Sequence, residues 1–233
     1  MYNAKIITIS PIHIGDGEEL IPLEYIEGKT EVKVYPFYYL IDKLYEKYED
    51  KIETIVPLLK MFAKKGELSK LEDFFSNLGV HLEPKYVLSK EVPVNGKKIK
   101  TFIKNTLGPY IPGSEIKGAL RTVFLFGVLK ENEILRNDFY KILERKIREA
   151  NTKNQKKEKV KILEKAIEEI ELLVFRAGKN NDQKDAQYDI FKALQISDSE
   201  SLNYDYLFIS SVKVLNSSRE IRDYCEFLKP GKK

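Results

Sequence analysis

The passage GPYIPGSEIKGALRTVFLFG, residues 108–127, sets a rigid turn directly before an apolar helix that carries two cations. Pro112-Gly113 is a turn pair and Ser114 is a good N-cap residue, so the apolar run behind them predicts a helix from about Ser114 to Leu129. Lys117 and Arg121 are four residues apart and share one face of that helix. A helix N-terminus leaves four N–H groups unpaired, and its dipole favours an anion there. A cation near that end, such as Lys117, opposes the dipole. Two readings stand: a capped core helix whose cations reach solvent, or a phosphate seat built from Gly113, Ser114, Lys117 and Arg121.

Upstream, KYVLSKEVPVNGKKIKTFIKN (residues 85–105) has two β-rich runs around Asn95-Gly96. Both residues of that pair tolerate positive φ, which predicts a β-hairpin, and Lys97, Lys98, Lys100 and Lys104 lie on its second arm. At the N-terminus, AKIITISPIHIGDG (residues 4–17) alternates and is rich in β-branched residues. It predicts a strand over residues 2–10, ended by turn chemistry at Pro11 and Gly15-Asp16-Gly17. His13 has three open readings there: general base, base-stacking ring or packed strand residue. Asp16 reads as a catalytic acid or as a turn residue capping its own loop. Residues 30–35 predict a second strand. Phe37, Leu40, Ile41, Leu44, Tyr45 and Tyr48 then recur at helical spacing, and residues 52–64 and 67–78 predict two more helices.

Downstream, residues 131–176 read as mostly helical. Val160, Leu163, Ile167, Ile170 and Val174 mark the predicted apolar face of the last helix. REANTKNQKKEK (148–159) and RAGKNNDQKDAQ (176–187) are polar and predict loops. A short helix over 188–194 and a strong strand in YDYLFISSVKVLN (204–216) follow. The order predicts an α+β fold: a ferredoxin-like split βαβ sheet with a mostly helical insertion. The expected divisions are a core with the basic hairpin over 1–130, the insertion over 131–187, and the closing helix and strand over 188–233.

The 233 residues are 42% hydrophobic and 33% charged, which suits a globular chain. The sequence has no apolar run long enough to span a membrane and no signal-peptide layout at its start, so a cytoplasmic location without membrane contact is expected. A single cysteine excludes an internal disulfide. Two histidines are too few for a His-rich metal site, and no cofactor is implied. The net charge is only +4, yet residues 85–122 hold eight Lys/Arg against two Glu, a surplus of six. That concentration suggests a polyanionic partner.

ISPIHIGDG (9–17) together with YIPGSEIKGALR (110–121) resembles the RAMP superfamily of CRISPR interference complexes, ferredoxin-like RNA-binding proteins related to the RRM. YDIFKALQISDS (188–199) and the helical segment before it resemble the terminal backbone subunit of type III-A (Csm) complexes. The resemblance runs from about residue 5 to 228. It implies a second ferredoxin-like half beyond EFLKPGKK, which this sequence is expected to lack. It also implies a non-catalytic subunit that caps crRNA at its 3′ end and supports crRNA maturation and complex assembly. The implied partners are crRNA, neighbouring backbone and small subunits, and host nucleases. His13, Gly15 and Gly17 fall on the family's Gly-rich turn, and Gly113, Ser114, Lys117 and Arg121 on its phosphate-contacting helix start. Lys97, Lys98, Lys100 and Lys104 would form a thumb-like hairpin over RNA. Two other classes stay open: a metal-independent RNA-processing endoribonuclease with His13 as base, and a protein-interaction scaffold built on residues 131–176.

Overall fold

A computed structural model describes residues 3–60 except 52, 54 and 58, and residues 71–176, 189–213 and 222–231. Residues 177–187 of the loop expected over 176–187, residue 188 of the helix expected over 188–194, the tail of the strand beyond residue 213, and parts of the helices expected over 52–64 and 67–78 lie outside the described residues.

The chain divides into two units: residues 1–110 with 200–233, and residues 111–199. The first unit carries every described strand: β1 (Gly15–Leu20), β2 (Tyr25–Glu27), β3 (Glu31–Val34), β4 (Tyr86–Lys90), β5 (Ile99–Phe102), β6 (Leu207–Lys213) and β7 (Arg222–Leu228). They form one sheet in the order β1-β5-β7-β6-β4-β3-β2. The β4–β6 and β5–β7 pairs are parallel and the rest antiparallel. Helices α1 (Phe37–Tyr48) and α2 (Leu71–Asn77) belong to the same unit. Leu40 and Leu44 of α1, one turn apart, join Leu71, Phe75, Tyr35 and Leu23 in a buried cluster. The α+β class therefore holds.

Two strand expectations are corrected. Residues 3–10 form no strand, and β1 instead begins at Gly15, inside the expected turn. β7 already has β5 and β6 on its two edges, so only its far end is open. There Ile12 makes an isolated bridge to Leu228, and Thr8 Oγ1 donates to the Lys229 carbonyl at 2.8 Å. Ile7 and Ile9 stay exposed. β1 carries a register shift between Gly15 and Glu19, and Gly17 within it has φ +87°, which glycine adopts without strain.

The Asn95-Gly96 turn forms with the expected positive φ values, 55° and 67°. Its arms, however, do not pair as a hairpin. β4 bonds to β3 and β6, β5 bonds to β1 and β7, and the β6–β7 hairpin lies between them. Seven residues of β6 pair with seven of β7, a ladder much longer than the four-residue β5 could offer β4. Sequence reading also passed over β2 and β7.

The second unit holds α3 (Gly113–Glu131), α4 (Glu133–Asn151), α5 (Lys156–Phe175) and a 3-10 turn, Ile190–Ala193. The polar loop expected over 148–159 shrinks to residues 152–155, because α4 and α5 extend into it from both sides. The inward stripe of α5 is Ile162, Ala166 and Ile170, strictly four apart. Of the expected face, Ile170 alone is fully buried, while Val160, Leu163 and Ile167 are exposed. Ala166, too small to mark an apolar face by itself, completes that stripe. Phe124, Phe175 and Phe191 close the unit's aromatic core, with ring centroids 5.3–5.9 Å apart.

Candidate nucleic-acid interface

The expected site residues divide between the units. His13, Gly15, Gly17 and the four lysines lie on the sheet unit; Gly113, Ser114, Lys117 and Arg121 lie on the helical one.

The start of α3 departs from expectation. Pro112, not Ser114, is the N-cap, and Ser114 lies inside the helix without a capping bond. The Gly113 N–H is taken by Asp198 Oδ1 at 2.8 Å. Ile111 and Ser199 exchange backbone and side-chain bonds of 3.0 and 2.9 Å. Residues 111–113 and 196–199 thus clasp each other, and Gly113 is required by closeness: a Cβ there would lie 2.2 Å from the Ile196 carbonyl oxygen. An internal carboxylate has taken the position that a phosphate would favour.

Arg121 is likewise engaged. Its guanidinium donates to Asp189 Oδ2 at 2.8 Å and Glu171 Oε2 at 3.3 Å, and its Cζ lies 3.8 Å from the Phe175 ring centroid. Lys117, half-buried on the same helix, makes no hydrogen bond or ion pair among the described residues.

His13 is half-buried. Its Nδ1 lies 2.8 Å from the Glu226 carbonyl oxygen, which can only accept, so Nδ1 carries the proton and donates. The ring leans on Phe227, centroids 5.8 Å apart, and Nε2 crowds the Gly15 position. Asp16 accepts from the Glu18 N–H at 3.0 Å and from Thr101 Oγ1, the bonding of a turn residue.

Lys104 does not belong to a flexible hairpin. It bonds to Glu226, which is fully buried, and to the Phe102 carbonyl at 2.9 Å. The Glu226 carboxylate also accepts from Tyr86 Oη at 2.9 Å and from the Phe102 N–H at 2.8 Å. Burial first, then the neighbouring Glu226 carboxylate, holds the Tyr86 hydroxyl far above the ordinary tyrosine range. Tyr86 stacks on Tyr204, centroids 4.5 Å apart. Sequence reading missed Glu226. Its one signal is position: in DYCEFL it occupies the inward alternation shared with Leu228.

The other three lysines meet at one groove. Lys97, Lys98 and Lys100 line a concavity of about 630 Å³ with Glu19, Arg222, Asp223 and Tyr224. Lys98 pairs with Glu19 at 2.9 Å and Lys100 with Asp223 at 2.8 Å. Arg222 and Tyr224 belong to the strand that sequence reading passed over. Among the described residues no group of three or more His, Cys, Asp or Glu could hold a metal ion, and no helix is long and apolar enough to cross a membrane.

A mixed sheet, a helical excursion between β5 and β6, and lysines gathered at one sheet end make up an α+β protein. The family model described as the RAMP superfamily matches residues 5–233, and the chain belongs to that superfamily. It is 31% identical over 210 residues to the CRISPR system Cms protein Csm5 of Methanocaldococcus jannaschii, covering 86% of this chain and 43% of the relative. It is 28% identical over 151 residues to the protein of the same name from Streptococcus thermophilus, covering 59% and 42%. The chain thus spans less than half the length of these curated relatives. The fold matches a chain of a Csm-crRNA-target RNA ternary complex of a type III-A CRISPR-Cas system, with a TM-score of 0.69 and 24% identity, over 97% of this chain and 60% of that one. It also matches the crystal structure of T. onnurineus Csm5, with a TM-score of 0.66 and 25% identity, over 97% and 64%.

Proposed function

We propose that this chain is a non-catalytic, RNA-binding subunit of a type III-A CRISPR (Csm) interference complex. It caps the 3′ end of crRNA and supports crRNA maturation and complex assembly. The observation that carries this reading is the 31% identity to a Csm5 protein across 86% of the chain. The surface lysines support it, because sequence-independent grip on a guide is made through phosphates and 2′-hydroxyls. The central strands are read as a ferredoxin-like unit in which a hairpin, β6–β7, is interleaved with β4 and β5. The partners are crRNA and the neighbouring backbone and small subunits. His13 is read as a packing residue, since its Nδ1–H bonds to the Glu226 carbonyl and its ring leans on Phe227.

Reconstitution tests this. The chain is expected to co-migrate with a crRNA-bearing assembly of Csm backbone and small subunits, and to protect the crRNA 3′ end from a 3′ exonuclease. An assembly that forms equally without it, with the same 3′-end sensitivity, overturns the proposal.

A further inference from the structure

We propose that the groove at the N-terminal ends of β5 and β7 is the seat for the phosphodiester backbone of single-stranded RNA on the sheet unit, with Tyr224 as a stacking surface beside it. The inference rests on the RNA-binding reading and names where on this unit the RNA lies.

β5 and β7 run parallel, with Ile99 opposite Tyr224 and Lys100 opposite Cys225. The residues just before those pairs, Lys97 and Lys98 leading into β5 and Arg222 at the start of β7, therefore emerge at the same end of the sheet. Cations far apart in sequence converge on one concavity of about 630 Å³. The basic run at 97–104 alone does not make this site: Lys104 turns inward to Glu226, and Arg222 is among the residues that line the groove.

The backbone that leads into the groove is fixed by side chains. Lys97 follows the Asn95-Gly96 turn, and its carbonyl accepts from Tyr25 Oη at 2.6 Å. Glu27 fixes the turn by accepting from the N–H groups of Val94 and Asn95 at 2.7 and 2.8 Å. The Lys97 side chain itself is exposed and makes no ion pair among the described residues. Lys98 and Lys100 are each held by one carboxylate, Glu19 and Asp223, in pairs that are about half-exposed. Pairs of that kind are weak, so a phosphate can exchange for the carboxylate while the lysine stays extended. A half-buried tyrosine ring next to a row of cations matches single-stranded nucleic acid, whose backbone is charged and whose bases stack without regard to sequence. The start of α3 is the other anion site the sequence suggests, and Asp198 fills it.

The experiment is a salt titration of binding to a single-stranded RNA of mixed sequence. It compares wild type, Lys97→Ala/Arg222→Ala and Asp223→Asn, each checked for the same thermal unfolding. The double variant is expected to bind more weakly, and the slope of log K against log salt is expected to fall by about 1.4, roughly 0.7 for each lost phosphate contact on a single strand. Asp223→Asn, which frees Lys100, is expected to bind several-fold more tightly, a change that damage to the fold does not produce. Salt-sensitive wild-type binding that neither variant alters overturns the groove and leaves the RNA-binding reading standing. Wild type that shows no salt-sensitive RNA binding overturns both. Competition by poly-glutamate as effective as by unlabelled RNA overturns the RNA assignment in favour of an acidic peptide.

Discussion

Gly113 donates its backbone N–H to Asp198 Oδ1 at 2.8 Å, so the helical unit fills its own anion position at the start of α3. The bond joins two stretches 85 residues apart, and the glycine permits it by letting residues 196–197 come close. Asp198→Ala is expected to cost about 1 kcal/mol, the usual loss for a capping acceptor, and Asp198→Asn less. Gly113→Ala is expected to cost more than either, because its Cβ would meet backbone atoms at 2.2 and 2.8 Å that cannot rotate away. Chemical denaturation followed by circular dichroism ranks the three. A Gly113→Ala protein as stable as wild type would show that the clasp is not formed.

Glu226 and Lys104 form a buried ion pair whose acid also accepts from Tyr86 and Phe102. Lys104→Met leaves a buried carboxylate without its cation and is expected to cost about 3–5 kcal/mol. Lys104→Met combined with Glu226→Gln is expected to recover much of that loss, because the amide oxygen still accepts and no charge is stranded. Urea unfolding of the two single variants and the double variant measures the coupling. Strict additivity would mean that the pair does not interact.

Much of this fold was legible in the sequence where one residue type decides a local geometry. Asn95-Gly96 announces positive φ, and Phe37 to Tyr48 shows its helical period openly. What sequence could not give was pairing. The Asn-Gly turn is real, yet its arms separate because the longer β6–β7 hairpin, encoded more than 100 residues later, lies between them. The site suffered in the same way. Lys104 and Arg121 look like surface cations until their partners, Glu226, Asp189 and Glu171, are placed beside them by the fold. Ser114 has the chemistry of a cap, but the helix begins one residue before it and borrows its acceptor from Asp198.

Glu27 predicts a pH dependence. Burial alone would raise its pKa; the bond from Lys90, the N–H groups of Val94 and Asn95 and the Lys90 charge together outweigh burial and hold it below the ordinary glutamate value. A carboxyl whose pKa is lower in the folded state binds fewer protons there than when unfolded. Its contribution is therefore fully present above the unfolded pKa of about 4.3 and is lost as pH falls through the folded value. Wild type is expected to lose stability on acidification from pH 5 to pH 3 more steeply than Glu27→Gln. Parallel curves from denaturant titrations across that range would remove Glu27 from the account.

Arg121 and Lys117 share a face of α3 but differ in partners, and opposite outcomes are expected from reversing their charge. Arg121→Glu would set a third carboxylate beside Asp189 and Glu171 and remove the cation from the Phe175 ring. The lost charge-assisted bonds alone are expected to cost about 2–3 kcal/mol. Lys117→Glu breaks no bond among the described residues and moves a negative charge toward the helix N-terminus, so its effect is expected to be neutral or stabilising by a few tenths of a kcal/mol. Thermal unfolding separates them: a lower midpoint for Arg121→Glu and an unchanged or higher one for Lys117→Glu. RNA binding by Lys117→Glu then reports on the surface of α3, whereas a loss of binding in Arg121→Glu reports first on the core. If Arg121→Glu unfolds at the wild-type temperature, the ion pairs to Asp189 and Glu171 are not holding the helical unit together, and Arg121 returns as a candidate for phosphate contact.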